Sequence, residues 1–365
     1  MKKVNVTFFF RKPQPQYFSI EKVFEQVINN LPPEVEHHSY QLKTGTNGWW
    51  GRIKALVEVW RNKGAINHIT GDITFIALAL PKKGLVVTYH DLESLTQYKG
   101  WQLAILKYLW VKIPVRRAQV VTAISNHTKE QLIKWTGCDP DKIKVIHNPL
   151  PDRINYSPKE FNSECPHILV MGTKDNKNVE GVFEAVFQLK SRKVETLKSL
   201  KVDEAEDGSP NCHPGKNMHQ APDTGHYKLI VVGKMTELQK ALEEEYQLDI
   251  ENLIQVPYEQ ILDAYKRCDI LCFPSFYEGF GLPIIEAQAI GRPVITSNFW
   301  AMKEVAGEGA FLVDPYKIDD LRLAISNSVE NEELRNVLVE KGLENVKRFA
   351  VSMIARQYAE VYVSF

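Results

Sequence analysis

Two glutamates eight positions apart, Glu278 and Glu286, enclose the part of this chain best suited to hold a polar ligand. Between them lie a Gly279-Phe280-Gly281 turn and Pro283, and proline favours the first turn of a helix. A helix N-terminus beside glycines offers backbone N–H groups and a positive dipole end to an anion such as phosphate. Because carboxylates repel phosphate, they are better suited to accept hydrogen bonds from neutral hydroxyls. The pattern therefore fits a ligand with a diphosphate between two hydroxyl-bearing rings, which is a sugar nucleotide.

The elements around this pair predict an α/β fold. The apolar run Asp269–Pro274 is typical of a buried parallel strand, and Gly291 suits the end of the helix that follows. Strand-like and helix-like segments alternate along the whole chain, which predicts parallel sheets with helices on both faces. The other predicted strands are Val4–Phe10, Gly71–Ile76, Leu85–Tyr89, Val120–Ala123, Lys144–His147, His167–Met171, Lys228–Val232, Asn252–Val256 and Pro293–Ser297.

The length of 365 residues predicts two domains. We place the boundary in the proline-rich stretch that ends at Pro158, so the predicted domains are residues 1–157 and 158–345, followed by a last helix within residues 346–365. Residues 191–226 contain few apolar side chains, and we interpret them as a flexible insertion in the second domain.

The segment Glu278–Glu286 resembles the E-x7-E signature of family 4 glycosyltransferases. The similarity continues through Pro293–Asn298, Glu304–Gly307 and Asp314–Pro315, with weaker matches at Val87–Asp91, Ala123–Asn126, Lys144–Pro149 and Gly172–Asn178. The resemblance implies a GT-B fold, in which two Rossmann-like domains face each other across a cleft and the C-terminal helix crosses back to the first domain. It also implies a retaining transferase that moves a hexosyl group from a nucleoside-diphosphate sugar to a hydroxyl acceptor, in bacterial cell-surface polysaccharide or glycolipid assembly.

The resemblance also implies roles for individual donor-side residues. Glu286 would bind the ribose hydroxyls, and Glu278 would contact the transferred sugar or stabilise positive charge on its anomeric carbon. The backbone that meets sugar and phosphate would come from Gly279, Phe280, Gly281 and Leu282.

The loop Gly172-Thr173-Lys174-Asp175-Asn176-Lys177 would hold the diphosphate, with Lys177 neutralising the leaving group. Many family members carry an arginine close to this lysine, at the positions occupied here by Thr173 or Asn176. Lys174 could supply a second cation, but without the forked geometry of arginine.

On the acceptor side, the resemblance implies that His90, which follows the strand Leu85–Tyr89, faces the sugar. His68 is a second candidate, with a structural core histidine as the alternative. The loop Arg11–Tyr17 lacks the glycines of many relatives, so acceptor residues cannot be transferred to it. Val256–Tyr258 is a candidate wall for the nucleobase.

We expect no metal, because no Asp-x-Asp follows a predicted strand, and no cofactor, since the sugar nucleotide would be a co-substrate. Cys212, His213, His219 and His226 fit no common zinc spacing. The five cysteines are scattered, which indicates reduced thiols and a cytoplasmic location. The zero net charge argues against a nucleic-acid partner.

Contact with a membrane is left open by the sequence. No apolar run reaches the roughly 18 residues of a membrane span, and Val4–Phe10 is better interpreted as a strand than as part of a signal peptide. The segment Lys107–Arg117 mixes cations with large apolar residues, which suits the anionic inner face of a membrane carrying a lipid-linked saccharide acceptor. A core helix with basic ends fits the same composition.

Three other functions share parts of this pattern. A nicotinamide dehydrogenase is disfavoured, because no Gly-x-Gly-x-x-Gly follows the first strand. A sugar-nucleotide epimerase on the same fold and a non-catalytic subunit that binds sugar nucleotides remain alternatives.

Overall fold

The computed structural model describes residues 3–12, 19–46, 48–92, 95, 98–191 and 226–365. It divides into two compact units, the first formed by residues 1–153, 278–282 and 347–365 and the second by residues 154–277 and 283–346. The predicted domain boundaries after residues 157 and 345 stay a prediction, because compact units are not necessarily domains that fold alone. The predicted flexible insertion at 191–226 lies outside the described residues except for its two end residues.

The first unit is built on a sheet of six parallel strands in the order β2-β1-β3-β4-β5-β6. The strands are β1 (Val4–Phe10), β2 (Val35–Gln41), β3 (Ile66–Ile69), β4 (Leu85–Tyr89), β5 (Val120–Ala123) and β6 (Ile143–Val145). The helices that follow the chain through this unit are α1 (Ser19–Asn29), α2 (Gly48–Arg61), α3 (Gly100–Leu106), α4 (Ile113–Arg117) and α5 (Asn126–Thr136). Short 3-10 helices cover Thr74–Ala79 and Pro140–Lys142, and a π-helical segment covers Lys107–Lys112.

Two parts of the first sheet differ from the sequence prediction. The predicted strand Gly71–Ile76 is wrong, because the strand is β3 and the buried apolar run that follows forms the 3-10 helix Thr74–Ala79. A short apolar run suits a buried strand and a buried helical turn equally well, so periodicity does not separate them. The strand β2 was not predicted, since it lies at the sheet edge and exposes most of its polar side chains.

The second unit contains another sheet of six parallel strands, in the order β12-β11-β10-β7-β8-β9. The strands are β7 (His167–Met171), β8 (Lys228–Val232), β9 (Asp249–Leu253), β10 (Ile270–Phe273), β11 (Val294–Ser297) and β12 (Phe311–Val313). The helices are α6 (residues 179–191), α7 (Glu237–Glu245), α8 (Tyr258–Arg267), α9 (Leu282–Ile290), α10 (Trp300–Ala306), α11 (Ile318–Glu330) and α12 (Glu332–Val346). Thus the α/β fold with two parallel sheets is confirmed.

The strand order of the second sheet reverses between β7 and β10. From β7 the chain adds β8 and β9 on one side, and it then returns to add β10, β11 and β12 on the other. The crevice at the carboxyl ends of two strands flanking such a reversal is where open α/β sheets bind ligands. The loops after β7 and β10 are therefore the expected position of a ligand site in this unit.

The last helix, α13 (Val351–Val363), packs in the core of the first unit, as the sequence resemblance implied. Ile354 and Tyr362 are fully buried against the β1 side of that unit, where the Tyr362 ring meets Phe8 edge-on at 5.8 Å. Tyr358 stands 5.5 Å from Phe24 of α1 between ring centroids. The last helix therefore belongs to the same hydrophobic core as β1 and α1.

Within the described ranges, no helix has both the length and the apolar character needed to cross a membrane.

Candidate functional site

The loop after β7 brings Lys177 towards the end of β10. Gly172 has a positive φ of +86°, and a Cβ built on it would lie 3.0–3.4 Å from three methylene carbons of the Lys177 side chain. Glycine is thus favoured here both by the backbone conformation and by the close lysine. Lys177 ends the 3-10 turn Asp175–Lys177, and its Nζ lies 4.7 Å from the ring centroid of Phe273, the last residue of β10. The ammonium group therefore lies at the strand reversal.

Three hydrogen bonds join the loops after β7, β10 and β11. The Phe276 N–H donates to the Asn176 carbonyl at 2.8 Å, and Asn176 Nδ2 donates to the Tyr277 carbonyl at 2.9 Å. From the start of α10, Trp300 Nε1 donates to the Phe276 carbonyl at 3.0 Å. Trp300 has φ +57°, a conformation that costs a non-glycine residue energy and indicates that its position is determined by its surroundings. The lysine loop and the approach to Glu278 are thus held in one arrangement.

An open depression lies beside the lysine loop. It is lined by six residues, which are Thr173, Lys174, Asp175, Asn176, Lys234 and Thr236. The Thr173 hydroxyl donates to the Lys234 carbonyl at 2.7 Å, so this predicted donor residue ties the loops after β7 and β8 together. The two lysines outnumber the single carboxylate of Asp175, so the lining carries a net positive charge, which favours an anionic ligand.

Glu286 lies on α9 and is 7% exposed. The Tyr265 hydroxyl donates to its Oε2 at 2.7 Å. Burial raises the pKa of Glu286, and the hydroxyls of Tyr265 and Tyr258 oppose that rise. Burial together with Glu286 raises the pKa of Tyr265 well above its ordinary value, so Tyr265 stays protonated and acts as a donor. One carboxylate oxygen is thereby fixed, which gives the other a defined direction.

Tyr265 and Trp300 were missed by the sequence reasoning. Tyr265 lies within the amphipathic helix α8, where a buried aromatic residue usually signals only packing. Val256–Tyr258, the predicted nucleobase wall, immediately precedes this helix and supplies its first residue.

The predicted residues Glu278–Leu282 group with the first unit. Ser125 Oγ donates to the Gly279 carbonyl at 2.9 Å, and Gly279 lies so close to the His90 carbonyl that a Cβ has no room. Phe280 is buried and meets Phe349 edge-on, with 5.7 Å between ring centroids. Gly281 has φ +101°, which favours glycine at the turn into α9.

His90 lies at the carboxyl end of β4, as predicted. Its Nε2 lies 2.8 Å from the Thr70 carbonyl, which can only accept, so Nε2 carries a proton. Burial lowers the pKa of His90, while the Thr70 carbonyl and the carboxylates of Asp91, Asp72 and Glu21 oppose that shift. In the neutral ring, Nδ1 is then the hydrogen-bond acceptor.

His68 is fully buried and has a partner at each ring nitrogen. Nδ1 lies 2.7 Å from the Tyr362 hydroxyl, and Nε2 lies 2.7 Å from Thr88 Oγ1. Burial, with a contribution from His90, lowers the pKa of His68 to about 3. The structure therefore favours the core-histidine alternative for His68.

The predicted site residues fall into two groups. Gly172, Thr173, Lys177 and Glu286 belong to the second unit, whereas His90 and Glu278–Leu282 belong to the first. Over the parts of the chain that the structure describes, no three His, Cys, Asp or Glu side chains are placed to hold a metal ion. Three of the residues considered for zinc, Cys212, His213 and His219, lie outside those parts.

Comparison with known proteins gives matches along most of the chain. Residues 3–152 match the family model described as Glycosyltransferase Family 4, and residues 216–345 match Glycosyl transferases group 1. Over 107 residues the chain is 35% identical to O-antigen chain mannosyltransferase B of Escherichia coli, covering 29% of this chain and 28% of that protein. It is 23% identical over 279 residues to O-antigen chain mannosyltransferase RfbU of Salmonella typhimurium, covering 74% of this chain and 69% of RfbU.

The fold has a solved counterpart in HepE of Anabaena, in complex with UDP and glucose. That structure superimposes with a TM-score of 0.70 and 16% sequence identity, covering 99% of this chain and all of the other. The likeness confirms the predicted GT-B fold. The match to mannosyltransferase B spans less than a third of that relative.

Proposed function

Because the chain belongs to family 4 of the glycosyltransferases, we propose that it moves a hexosyl group from a nucleoside-diphosphate sugar to a hydroxyl acceptor with retention of anomeric configuration. One observation carries this proposal. Lys177 and the approach to the signature glutamates lie on the two loops that flank the strand reversal of the second sheet, and hydrogen bonds join those loops. Such a crevice is a ligand site in open α/β sheets, and here it presents a cation.

Lys177 would stabilise the charge that develops on the departing diphosphate. Its methylenes rest on Gly172, and its ammonium lies beside the Phe273 ring, so its position is set before a ligand arrives. A preplaced cation stabilises the developing charge without reorganisation during the reaction. Lys174 and Lys234 in the adjoining depression would add to the positive potential.

Glu286 would accept hydrogen bonds from the ribose hydroxyls. Tyr265 holds one of its oxygens, so the orientation of the carboxylate is set by the protein. The ionised carboxylate accepts hydrogen bonds at both oxygens, so it is the form better suited to bind two neutral hydroxyls.

His90 and Glu278 would act on the sugar. With Nε2 bound to the Thr70 carbonyl, the neutral His90 ring would accept a sugar hydroxyl at Nδ1. We propose that the bond between the anomeric carbon and the diphosphate oxygen breaks as the acceptor oxygen bonds to the same face. The acceptor proton would pass to the departing phosphate oxygen, and Glu278 would stabilise the positive anomeric centre.

Mannose is our first candidate for the hexose. RfbU, whose match spans most of both chains, is named as an O-antigen chain mannosyltransferase, and so is mannosyltransferase B. We propose a saccharide or lipid-linked saccharide acceptor in a bacterial cell-surface polysaccharide and a cytoplasmic location. We further propose that the reaction needs no metal, since Lys177 and its neighbouring lysines supply the positive charge.

Transfer itself can be tested with radiolabelled GDP-mannose or UDP-glucose and a set of mannose-terminated oligosaccharides. We expect label in a lengthened saccharide with the wild type and none with Glu286→Ala. Conversion of the donor into an isomeric sugar nucleotide without any acceptor would instead identify an epimerase.

A further inference from the structure

The helix α2 in the first unit exposes an apolar face that the reaction does not use. Trp49, Ile53 and Trp60 recur at helical spacing on one side of α2 and are exposed, and Trp50 beside them is 77% exposed. On the other side of the helix, Ala55 and Val59 are buried in the core. Because the buried side of α2 already packs in the core, its exposed apolar side is available to bind a partner outside the unit.

A second exposed stripe lies on α3. Trp101 is 72% exposed, and Ile105 follows it at helical spacing. Arg52 of α2 contacts the segment that follows α3, since its guanidinium carbon lies 4.7 Å from the Trp110 ring centroid and 5.8 Å from that of Trp49. Trp110 belongs to the π-helical segment directly after α3. We call the exposed residues Trp49, Trp50, Ile53, Trp60, Trp101 and Ile105 the tryptophan face.

The stretch of sequence that holds the tryptophan face is rich in cations, although the chain as a whole is neutral. Residues 48–117 contain eleven lysines and arginines but four aspartates and glutamates, and they hold five of the seven tryptophans. Lys54 and Arg61 are exposed on α2 at the border of the tryptophan face. Tryptophan is enriched where proteins meet the boundary between lipid and water, and clustered cations bind anionic headgroups.

We infer that the tryptophan face binds the surface of a bilayer containing anionic lipids. The indole rings would enter the headgroup region, while the flanking cations would contact lipid phosphates. For Lys107–Arg117 itself, the burial of Val111 and Val115 in the core favours the alternative interpretation, a core helix with basic ends. The inference does not depend on the proposed reaction, so the two can fail separately.

Vesicle binding tests this inference directly. We would measure co-sedimentation of the full chain with phosphatidylcholine vesicles, with and without phosphatidylglycerol, and the quenching of tryptophan fluorescence by brominated lipids. Binding and quenching with phosphatidylglycerol, weakened by salt, are expected. Loss of both is expected in Trp49→Ser/Trp50→Ser/Trp101→Ser, while the matched control Leu238→Ser/Leu323→Ser, which replaces exposed residues of the second unit, should bind as the wild type does.

A charge-reversal variant tests the electrostatic contribution to vesicle binding. Lys54→Glu/Arg61→Glu should weaken binding to phosphatidylglycerol vesicles by at least about 30-fold, because each cation near an anionic surface contributes roughly a factor of five. Thermal unfolding and donor turnover without vesicles should match the wild type in every variant, which excludes misfolding. Absence of wild-type binding at low salt overturns the inference. So does unchanged binding by the tryptophan variant, or a dimer that this variant dissociates, since a second copy would then cover the face.

Discussion

Lys177 is the residue on which the proposed chemistry depends most. Its methylenes lie against Gly172 and its ammonium beside Phe273, and Lys177→Ala removes these contacts together with the positive charge. We expect kcat/KM for the donor to fall by about 100-fold or more, the usual effect of removing one preplaced group that stabilises developing charge. Steady-state kinetics of nucleoside diphosphate release would measure it. The control Lys240→Ala, an exposed lysine on α7, should retain wild-type kinetics.

Tyr265 should determine the pH range in which Glu286 works. Burial raises the pKa of Glu286 and the Tyr265 hydroxyl opposes the rise, so Tyr265→Phe should raise that pKa further. Since the ionised carboxylate is the better acceptor for the ribose hydroxyls, donor kcat/KM should fall on the acid side, and this fall should begin at a higher pH in the variant. Loss of the hydrogen bond to a buried carboxylate should also cost about 1–3 kcal/mol of stability.

The measurement is a pH profile of kcat/KM together with urea unfolding at neutral pH. An unchanged acid limb in Tyr265→Phe, with the stability loss present, would mean that Tyr265 is structural and does not position Glu286 for the donor.

The turn from β7 into the lysine loop allows a matched comparison between two glycines. Gly172 and Gly137 both have positive φ, but a Cβ at Gly172 would press on Lys177 whereas a Cβ at Gly137 meets nothing within 4 Å. Each alanine substitution should cost about 1–2 kcal/mol of folding free energy from the left-handed backbone alone. Only Gly172→Ala should also lower kcat/KM, because it displaces the lysine.

Thermal unfolding and donor kinetics of the two variants separate these effects. Equal activity of Gly172→Ala and Gly137→Ala would show that the contact between glycine and lysine has no part in the reaction.

The sequence correctly predicted the strands whose short apolar runs fit only one type of secondary structure. The strands β1, β4, β5, β7 and β8 were predicted with their exact bounds, because each is a short apolar run followed by a turn or a helix signal. The strand β2 could not be found this way, since an edge strand needs little apolar surface. The run that ends in the 3-10 helix Thr74–Ala79 was ambiguous for the opposite reason, being apolar throughout.

For the candidate site, the sequence resemblance identified Lys177, Glu278, Glu286 and His90 through motifs next to strand ends. It could not identify Tyr265 or Trp300, because their roles depend on which residue lies opposite in the folded chain. For His68 the sequence left two interpretations, and only the neighbours Tyr362 and Thr88 distinguish them.

The stability of the first unit depends on the packing of the last helix, α13. Ile354 of α13 is fully buried with β1 and α1 residues, whereas its neighbour Met353 is 49% exposed. Ile354→Ala should destabilise the protein by about 2–5 kcal/mol. Met353→Ala should change stability by less than about 0.5 kcal/mol.

Urea unfolding monitored by circular dichroism would compare these two variants. Equal stability would mean that α13 is not part of the cooperative core of the first unit, despite its packing.

The central claim, that this chain turns over a nucleoside-diphosphate sugar, is tested most directly by donor turnover. Wild type, Lys177→Ala and Glu286→Ala would be incubated with UDP-, GDP-, ADP- and dTDP-sugars in the presence of EDTA, and nucleoside diphosphate release would be followed. We predict slow release from one donor, without added metal, that is lost in both variants. Silence across the panel, with no nucleotide bound in calorimetry, would contradict the claim and leave a non-catalytic subunit as the better account.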